Sequence, residues 1–269
     1  MSTFSPCEIC VEKKCPTDGK CNCESCAVKA TCPKYNGLNA TVRITKKCTQ
    51  KCSHCCFSCS PLSEDMMTVE TAKNIAVFIK KNGVKRLNIM GGEIFCNPNY
   101  KEILSVLIPA VKNARLVTNS DWVEHDKSFA KFITKFKNVY LSLSKDEYHT
   151  NKHVDEAEKI LKGRNVRYTI DSKGVVNSSS IVPVGRAQFG LSNFYSFMGC
   201  YCHNPEHHYS FLIDEVGEIY KCGFGIWNYA NINDYLEGGF RDRFKEFNTK
   251  FYGIFISSCT SCIRGFNSK

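Results

Sequence analysis

The stretch Cys48-Thr49-Gln50-Lys51-Cys52-Ser53-His54-Cys55 constrains this chain more than any other, because it packs three thiols into a C-x3-C-x2-C array. The array directly follows Ala40-Thr41-Val42-Arg43-Ile44-Thr45, whose alternation predicts a strand. A loop with this spacing can wrap three corners of a cubane iron–sulfur cluster, since such clusters are held by Cys thiolates. Three ligands for four irons leave one iron open to a substrate or cosubstrate, as at catalytic metals generally. Structural zinc also fits: it takes four ligands, and Cys56, Cys59 or His54 would supply the fourth. Spacing alone leaves both readings open.

Composition narrows the setting. The 269 residues can bury one sizeable core, and 43% hydrophobic with 23% charged residues is an ordinary globular balance. No stretch approaches the run of about 20 apolar residues that a membrane span needs. The N-terminus, Met1-Ser2-Thr3-Phe4-Ser5-Pro6-Cys7, lacks the basic and apolar regions of a secretory signal, so a cytoplasmic location is expected. In a reducing compartment, 18 cysteines at short spacings read as metal or cluster ligands rather than as disulfides. The net charge of +10 is compatible with an anionic partner such as nucleic acid. The lysines are dispersed, with runs no longer than Lys46-Lys47 and Lys80-Lys81, which favours a solvated surface.

Cysteine density divides the chain into a Cys-rich segment (1–36), a β–α region (37–192) and a second cysteine-bearing region (193–269). In the β–α region, Thr68 is placed to cap a helix in which Ala72, Ile75, Ala76 and Ile79 share a face and Asn82-Gly83 stops the turn. Further strands are expected at Arg86-Leu87-Asn88-Ile89-Met90, Ala114-Arg115-Leu116-Val117-Thr118, Val139-Tyr140-Leu141-Ser142-Leu143, Val166-Arg167-Tyr168-Thr169-Ile170 and Ile181-Val182-Pro183-Val184. Helices are expected over 100–112, 126–136 and 152–162. This alternation predicts an α/β fold with a parallel sheet, a partial (β/α)6 TIM-like barrel whose site lies at the C-terminal strand ends.

The second strand ends in Gly91-Gly92-Glu93. Glycines there would let backbone approach a ligand, and Glu93 would offer a carboxylate at the mouth of the sheet. With the three-Cys loop after the first strand and the β–α order over residues 38–190, the chain resembles the radical S-adenosylmethionine superfamily. Thr118-Asn119-Ser120 stands where that family often has Thr-Asn-Gly, and Ser142 and Ser144 stand where its fourth strand supplies a polar ribose contact. The resemblance implies a [4Fe–4S] cluster on Cys48, Cys52 and Cys55, with the amino and carboxylate groups of S-adenosylmethionine chelating the open iron and Gly91, Gly92 and Glu93 binding the amino group. It further implies reductive cleavage to methionine and a 5′-deoxyadenosyl radical that abstracts a substrate hydrogen. An electron donor such as flavodoxin or ferredoxin is implied, with no membrane partner. His54 departs from the family's aromatic residue before the third cysteine, a change that bears on adenine packing and leaves the ligands intact.

A second resemblance, to the SPASM or shorter Twitch auxiliary-cluster extension, rests on three features. These are Pro183-Val184-Gly185-Arg186-Ala187, a hairpin-like stretch from Ile213 to Cys222, and the closing Cys259-Thr260-Ser261-Cys262. It implies a small C-terminal extension with an auxiliary cluster drawn from Cys200, Cys202, Cys222, Cys259 and Cys262; a zinc knuckle or buried thiols are the alternative. The N-terminal Cys7, Cys10, Cys15, Cys21, Cys23, Cys26 and Cys32 suit a zinc site or a third iron–sulfur cluster, either of which would fold a segment too small for its own core. Cys96 is a candidate hydrogen-atom donor to a substrate radical, against the alternative of a packed thiol. Asp146, Tyr148 and His149 are candidate acids, bases or hydrogen-bond donors, against loop polarity. His203, His207 and His208 flank the auxiliary cysteines and read as surface residues.

The expected function is a radical enzyme that modifies a peptide or protein side chain, as many auxiliary-cluster members do. The same chemistry on a nucleic acid or nucleotide, or a non-enzymatic zinc module, are the alternatives.

Overall fold

The computed structural model describes residues 38–171, Arg186, 210–221, 228–244 and Glu246. The N-terminal cysteines, the strand expected over 181–184, Cys200, Cys202, Cys222, Cys259, Cys262, His203, His207 and His208 lie outside the described residues.

Among the described residues eight strands form one sheet, in the order β5-β4-β3-β2-β1-β6-β7-β8. They are β1 (Asn39–Arg43), β2 (Arg86–Met90), β3 (Asn113–Thr118), β4 (Val139–Ser144), β5 (Tyr168–Asp171), β6 (Ser210–Ile213), β7 (Glu218–Tyr220) and β8 (Asn228–Asn231). The first five are mutually parallel, as βα alternation requires. Between them run helices α1 (Val69–Lys81), α2 (Tyr100–Leu107), α3 (Trp122–His125), α4 (Phe129–Ile133) and α5 (Val154–Gly163).

Side-chain alternation explains the layers. Ala40 and Val42, Leu87 and Ile89, Ala114 and Leu116, and Leu141 and Leu143 are all buried in one apolar core. The opposite face is polar: Thr41, Asn88 and Arg115 lie side by side in register there. Helix α1 begins as expected, with Thr68 Oγ1 accepting the Thr71 N–H, and buries Ala72, Ile75, Ala76, Phe78 and Ile79. Asn82 ends it and reaches further: its side chain donates to Phe78 and Tyr235 carbonyls and accepts the Phe240 N–H.

Two expected helices are shorter than their periodicity suggests. The one from residue 100 ends at Leu107 and tightens into a single turn, Ile108–Ala110, that contains Pro109. The one over 126–136 is reduced to α4, and the short α3 lies before it, because Asp126 between them leaves helical backbone, with φ −145°. Its carboxylate instead accepts the Ser128 N–H and the Tyr100 hydroxyl.

The C-terminal hairpin is part of the barrel sheet. Strand β6 pairs in parallel with the free edge of β1, and β7 returns antiparallel. Covering an edge in this way hides backbone groups that would otherwise template association. Phe211 on β6 is fully buried, with its ring 4.9 Å from Phe240, 5.4 Å from Phe244 and 6.1 Å from Phe78 of α1. At the hairpin turn, Glu215 accepts a 2.7 Å bond from Arg43 Nε at the end of β1, and Asp214 lies 3.9 Å from the same guanidinium. Burial opposes the Arg43 charge, and its bond to Glu215 together with the Glu215 and Asp214 charges outweighs that and raises its pKa.

Candidate active site

The three-Cys loop leaves the C-terminal end of β1 and is closed at its base by backbone bonds. Lys46 N–H donates to the Asp65 carbonyl, Cys48 N–H to Ser60, and Ser60 N–H back to Lys46. The loop is therefore a built platform, and its base holds before any ligand adds to it.

Gly91 and Gly92 have a reason other than the expected close approach of a ligand. A Cβ on Gly92 would lie 2.2 Å from the Lys47 carbonyl oxygen, and one on Gly91 2.9 Å from that of Thr45. The glycines let the end of β2 press against the chain entering the three-Cys loop. Gly92 N–H donates to Thr45 at 2.7 Å, and Glu93 N–H to Lys47 at 2.9 Å. Glu93 is 1% exposed rather than standing free at the mouth. Its carboxylate accepts the Ile94 N–H, the Thr118 hydroxyl and the Asn119 N–H, stapling the loop after β2 to the loop after β3. Burial pushes its pKa up to about 7, against the pull of the Asn119, Thr118 and Ile94 donors.

The loop after β3 then grips the cysteines. Asn119 Nδ2 donates to Thr49 Oγ1 at 3.1 Å and reaches Cys48 Sγ at 3.9 Å. Asp121 Oδ2 accepts from Thr49 Oγ1 at 2.5 Å and Gln50 Nε2 at 2.9 Å. Gln50 also ties to the loop after β4, donating to Thr150 Oγ1 and accepting the Thr150 N–H. The rings of Tyr148 and His149 each sit 4.9 Å from that of His54.

The donor set fits a thiolate-held cluster. The Gln50 N–H points at Cys48 Sγ (3.4 Å) and the Cys59 N–H at Cys55 Sγ (3.3 Å), both favouring thiolates. Burial pushes the Cys48 thiol up, and pushes Cys52 up to about 11 with help from Cys55 and Asp146. Cys55 moves the opposite way because Cys59 hydrogen-bonds to it. Buried thiols of this kind need a cation or cationic cluster to be ligands. Among the described residues, ligand atoms of three such side chains come within 4.8 Å of one another at His54, Asp146 and His149 rather than at Cys48, Cys52 and Cys55.

The remaining candidates divide. Cys96 lies within electrostatic reach of Cys48 and Glu93, and burial, then Glu93, raises its thiol pKa to about 12, so it carries its hydrogen. Asp146 organises a turn: one of its oxygens accepts the Tyr148 and His149 N–H groups and lies 2.8 Å from His149 Nδ1. Burial would raise its pKa, and the His149 bond and charge overcome that and lower it. Ser142 is fully buried between Arg115 Nη2 (2.7 Å) and the Asp171 carboxylate, and Ser144, at the end of β4, is half-buried. Cys59 is buried and Cys56 half-buried. Sequence reasoning missed Thr49, Gln50, Asp121 and Thr150. The first two sit inside the motif and Asp121 directly follows Thr118-Asn119-Ser120, so adjacency to the motifs was the available signal.

A β/α barrel that presents three cysteines on a glycine-supported platform at its C-terminal strand ends defines an enzyme built to hold an iron–sulfur cluster with one open iron. Residues 42–173 match the family model of the Radical SAM superfamily, so this part of the chain is a radical SAM domain. Its cofactors are accordingly a [4Fe–4S] cluster and S-adenosylmethionine. Over 116 residues the chain is 31% identical to the antilisterial bacteriocin subtilosin biosynthesis protein AlbA of Bacillus subtilis (strain 168). The match takes in 43% of this chain and 26% of AlbA, so this chain spans about a quarter of that relative's length. BtrN in complex with AdoMet and 2-DOIA is similar in fold, with TM-score 0.55 and 16% identity over 79% of this chain and 86% of BtrN. Hexahistidine-tagged anSMEcpe with bound AdoMet gives 0.51 and 16% over 77% of this chain and 82% of that one. At such identity these two likenesses speak for the fold alone. No helix among the described residues is long and apolar enough to cross a membrane.

Proposed function

We propose that this enzyme cleaves S-adenosylmethionine reductively at Cys48, Cys52 and Cys55 and uses the resulting radical to modify a peptide or protein side chain. The observation that carries the first part is the clamp: loops after β2, β3 and β4 all converge on the three-Cys loop through Glu93, Asn119, Asp121 and Thr150. When bound, the cluster supplies the electron that breaks the sulfonium C–S bond to give methionine and a 5′-deoxyadenosyl radical. The chain's own residues hold the thiolates apart, exclude water by burying Cys48, and keep Glu93 locked between loops. Gly91, Gly92 and Glu93 would take the cosubstrate's amino group, and Asn119, Ser142 and Ser144 its polar remainder. Cys96 would give its thiol hydrogen atom to a substrate radical and become a thiyl radical, which one electron from the same donor and one proton would restore.

What supports a peptide substrate is the similarity to AlbA, a bacteriocin biosynthesis protein. Flavodoxin or ferredoxin would supply the electron. Auxiliary ligation by Cys200, Cys202, Cys222, Cys259 and Cys262, and a metal or cluster on the seven N-terminal cysteines, belong to the same proposal. Anaerobic reconstitution with iron and sulfide, then reduction with S-adenosylmethionine, should yield 5′-deoxyadenosine, and Cys48→Ala should abolish it. A colourless, zinc-loaded protein making none would sink the reading. For the substrate, mass shifts in a peptide encoded nearby would support it, whereas salt-dependent RNA or DNA binding with modification of the nucleic acid would replace it.

A further inference from the structure

Arg186 is far from the three-Cys loop in sequence and fastened to it in space. Its backbone N–H donates to the Cys55 carbonyl at 3.0 Å, its Nε–H to the Cys52 carbonyl at 2.9 Å, and its Nη2 to the Cys59 carbonyl. Two of these carbonyls belong to residues assigned as cluster ligands, and the third to the thiol partner of Cys55. Among the described residues no carboxylate forms a salt bridge with Arg186.

We infer that Arg186 is a positioning residue for the S-adenosylmethionine-binding cluster: it clamps the loop between Cys52 and Cys59 and holds a permanent positive charge beside the cluster that raises its reduction potential. The inference rests on the cluster assignment above. The physical reasons are separable. Guanidinium is a planar fork that cannot lose its proton, so it can bridge neighbouring carbonyls in one fixed geometry while keeping its charge, which an ammonium cannot do with the same directionality. Adding one electron to the cluster, from a low-potential one-electron donor and with no bond made or broken, increases negative charge at that spot. A fixed cation nearby favours that state, because net charge and hydrogen bonding around the sulfurs set cluster potentials. The loop is anchored at its base from the β1 side and gripped by the loops after β3 and β4; Arg186 closes its outer side, between residues 52 and 59.

Two substitutions separate clamp from charge. Arg186→Lys keeps the charge and loses the fork; Arg186→Gln loses the charge and keeps a shorter donor. The reconstituted full chain is titrated with dithionite and mediators under electron paramagnetic resonance, taking as the relevant cluster the signal perturbed by S-adenosylmethionine and missing in Cys48→Ala. Iron loss to a chelator is timed in parallel. Arg186→Gln should lower the reduction equilibrium by about tenfold, a shift of about 59 mV toward more negative potential for one electron. Both variants should lose iron several-fold faster than the native chain, with Arg186→Lys keeping the native potential. If Arg186→Gln retains too little iron to titrate, faster iron loss from Arg186→Lys at unchanged potential still supports the clamp. Native potential and native iron retention in Arg186→Lys and in any titratable Arg186→Gln would overturn the inference. A native chain with no S-adenosylmethionine-sensitive signal would instead overturn the cluster assignment.

Discussion

Ser120 sits at φ 75°, in left-handed backbone that a side chain enters only at a cost of about 1–2 kcal/mol. Its hydroxyl is buried with no hydrogen-bond partner among the described residues. Both facts favour glycine at this position. Ser120→Gly should therefore raise unfolding stability by about 1 kcal/mol, after allowing for the extra freedom glycine gives the unfolded chain; a rise in urea midpoint at unchanged slope would show it. Glu93 makes the opposite case, a group whose native environment is costly to its charge. Its folded pKa of about 7 lies above the 4.5 of a free carboxyl. The stabilising effect of holding its proton is complete below the unfolded value and is lost as pH rises toward 7. Stability should fall over that window by up to about 3 kcal/mol, since each unit corresponds to about 1.4 kcal/mol. Urea unfolding at pH 5, 6 and 7 should show the decline, and Glu93→Gln should flatten it.

Among elements, the join between β1 and the C-terminal hairpin depends on a buried ion pair. Arg43→Met would leave Glu215 and Asp214 buried without their guanidinium, and should cost about 3 kcal/mol, with Lys46 offering Glu215 a partial substitute at 3.6 Å. Arg43→Met with Glu215→Leu should recover most of the loss, read as urea midpoints of the single and double variants. Elements were the most legible scale. The strand Arg86–Met90 and the capped helix after Thr68 could be read directly, because alternation and capping are local properties. The shortening of 126–136 to α4 could not, because Asp126 spends its carboxylate on Tyr100, a contact that no window of periodicity contains. For the same reason the hairpin's place beside β1 was hidden: a parallel pairing across about 170 residues leaves no mark in either strand's own sequence.

Among the described residues one apolar core is continuous, and the three-Cys loop lies at the C-terminal ends of the strands. Phe78 of α1, Phe211 of β6, Phe240 and Phe244 belong to the same buried core as the barrel strands. The three-Cys loop is held by protein bonds at its base and by Gln50, Asp121 and Arg186 above. Removing iron with a chelator should therefore leave the far-ultraviolet circular dichroism of the barrel essentially unchanged while opening residues 50–58 to proteolysis. Global unfolding on iron removal would contradict this division. The three-Cys motif itself was legible, because candidate ligands for one cluster stand at short spacing in the sequence. The residues that orient them were not, because Gln50 meets Asp121 and Arg186 meets Cys52 only after 71 and 134 residues of chain have folded.

Gly92 carries a consequence for how such a site can be moved or can drift. With the Lys47 carbonyl 2.2 Å from where its Cβ would be, the motif after β2 and the motif after β1 share one interlocking surface. A three-cysteine segment transplanted into another barrel without that glycine would lose its seat, whatever its own sequence. Engineering this centre into a new scaffold means copying the two loops as a single part.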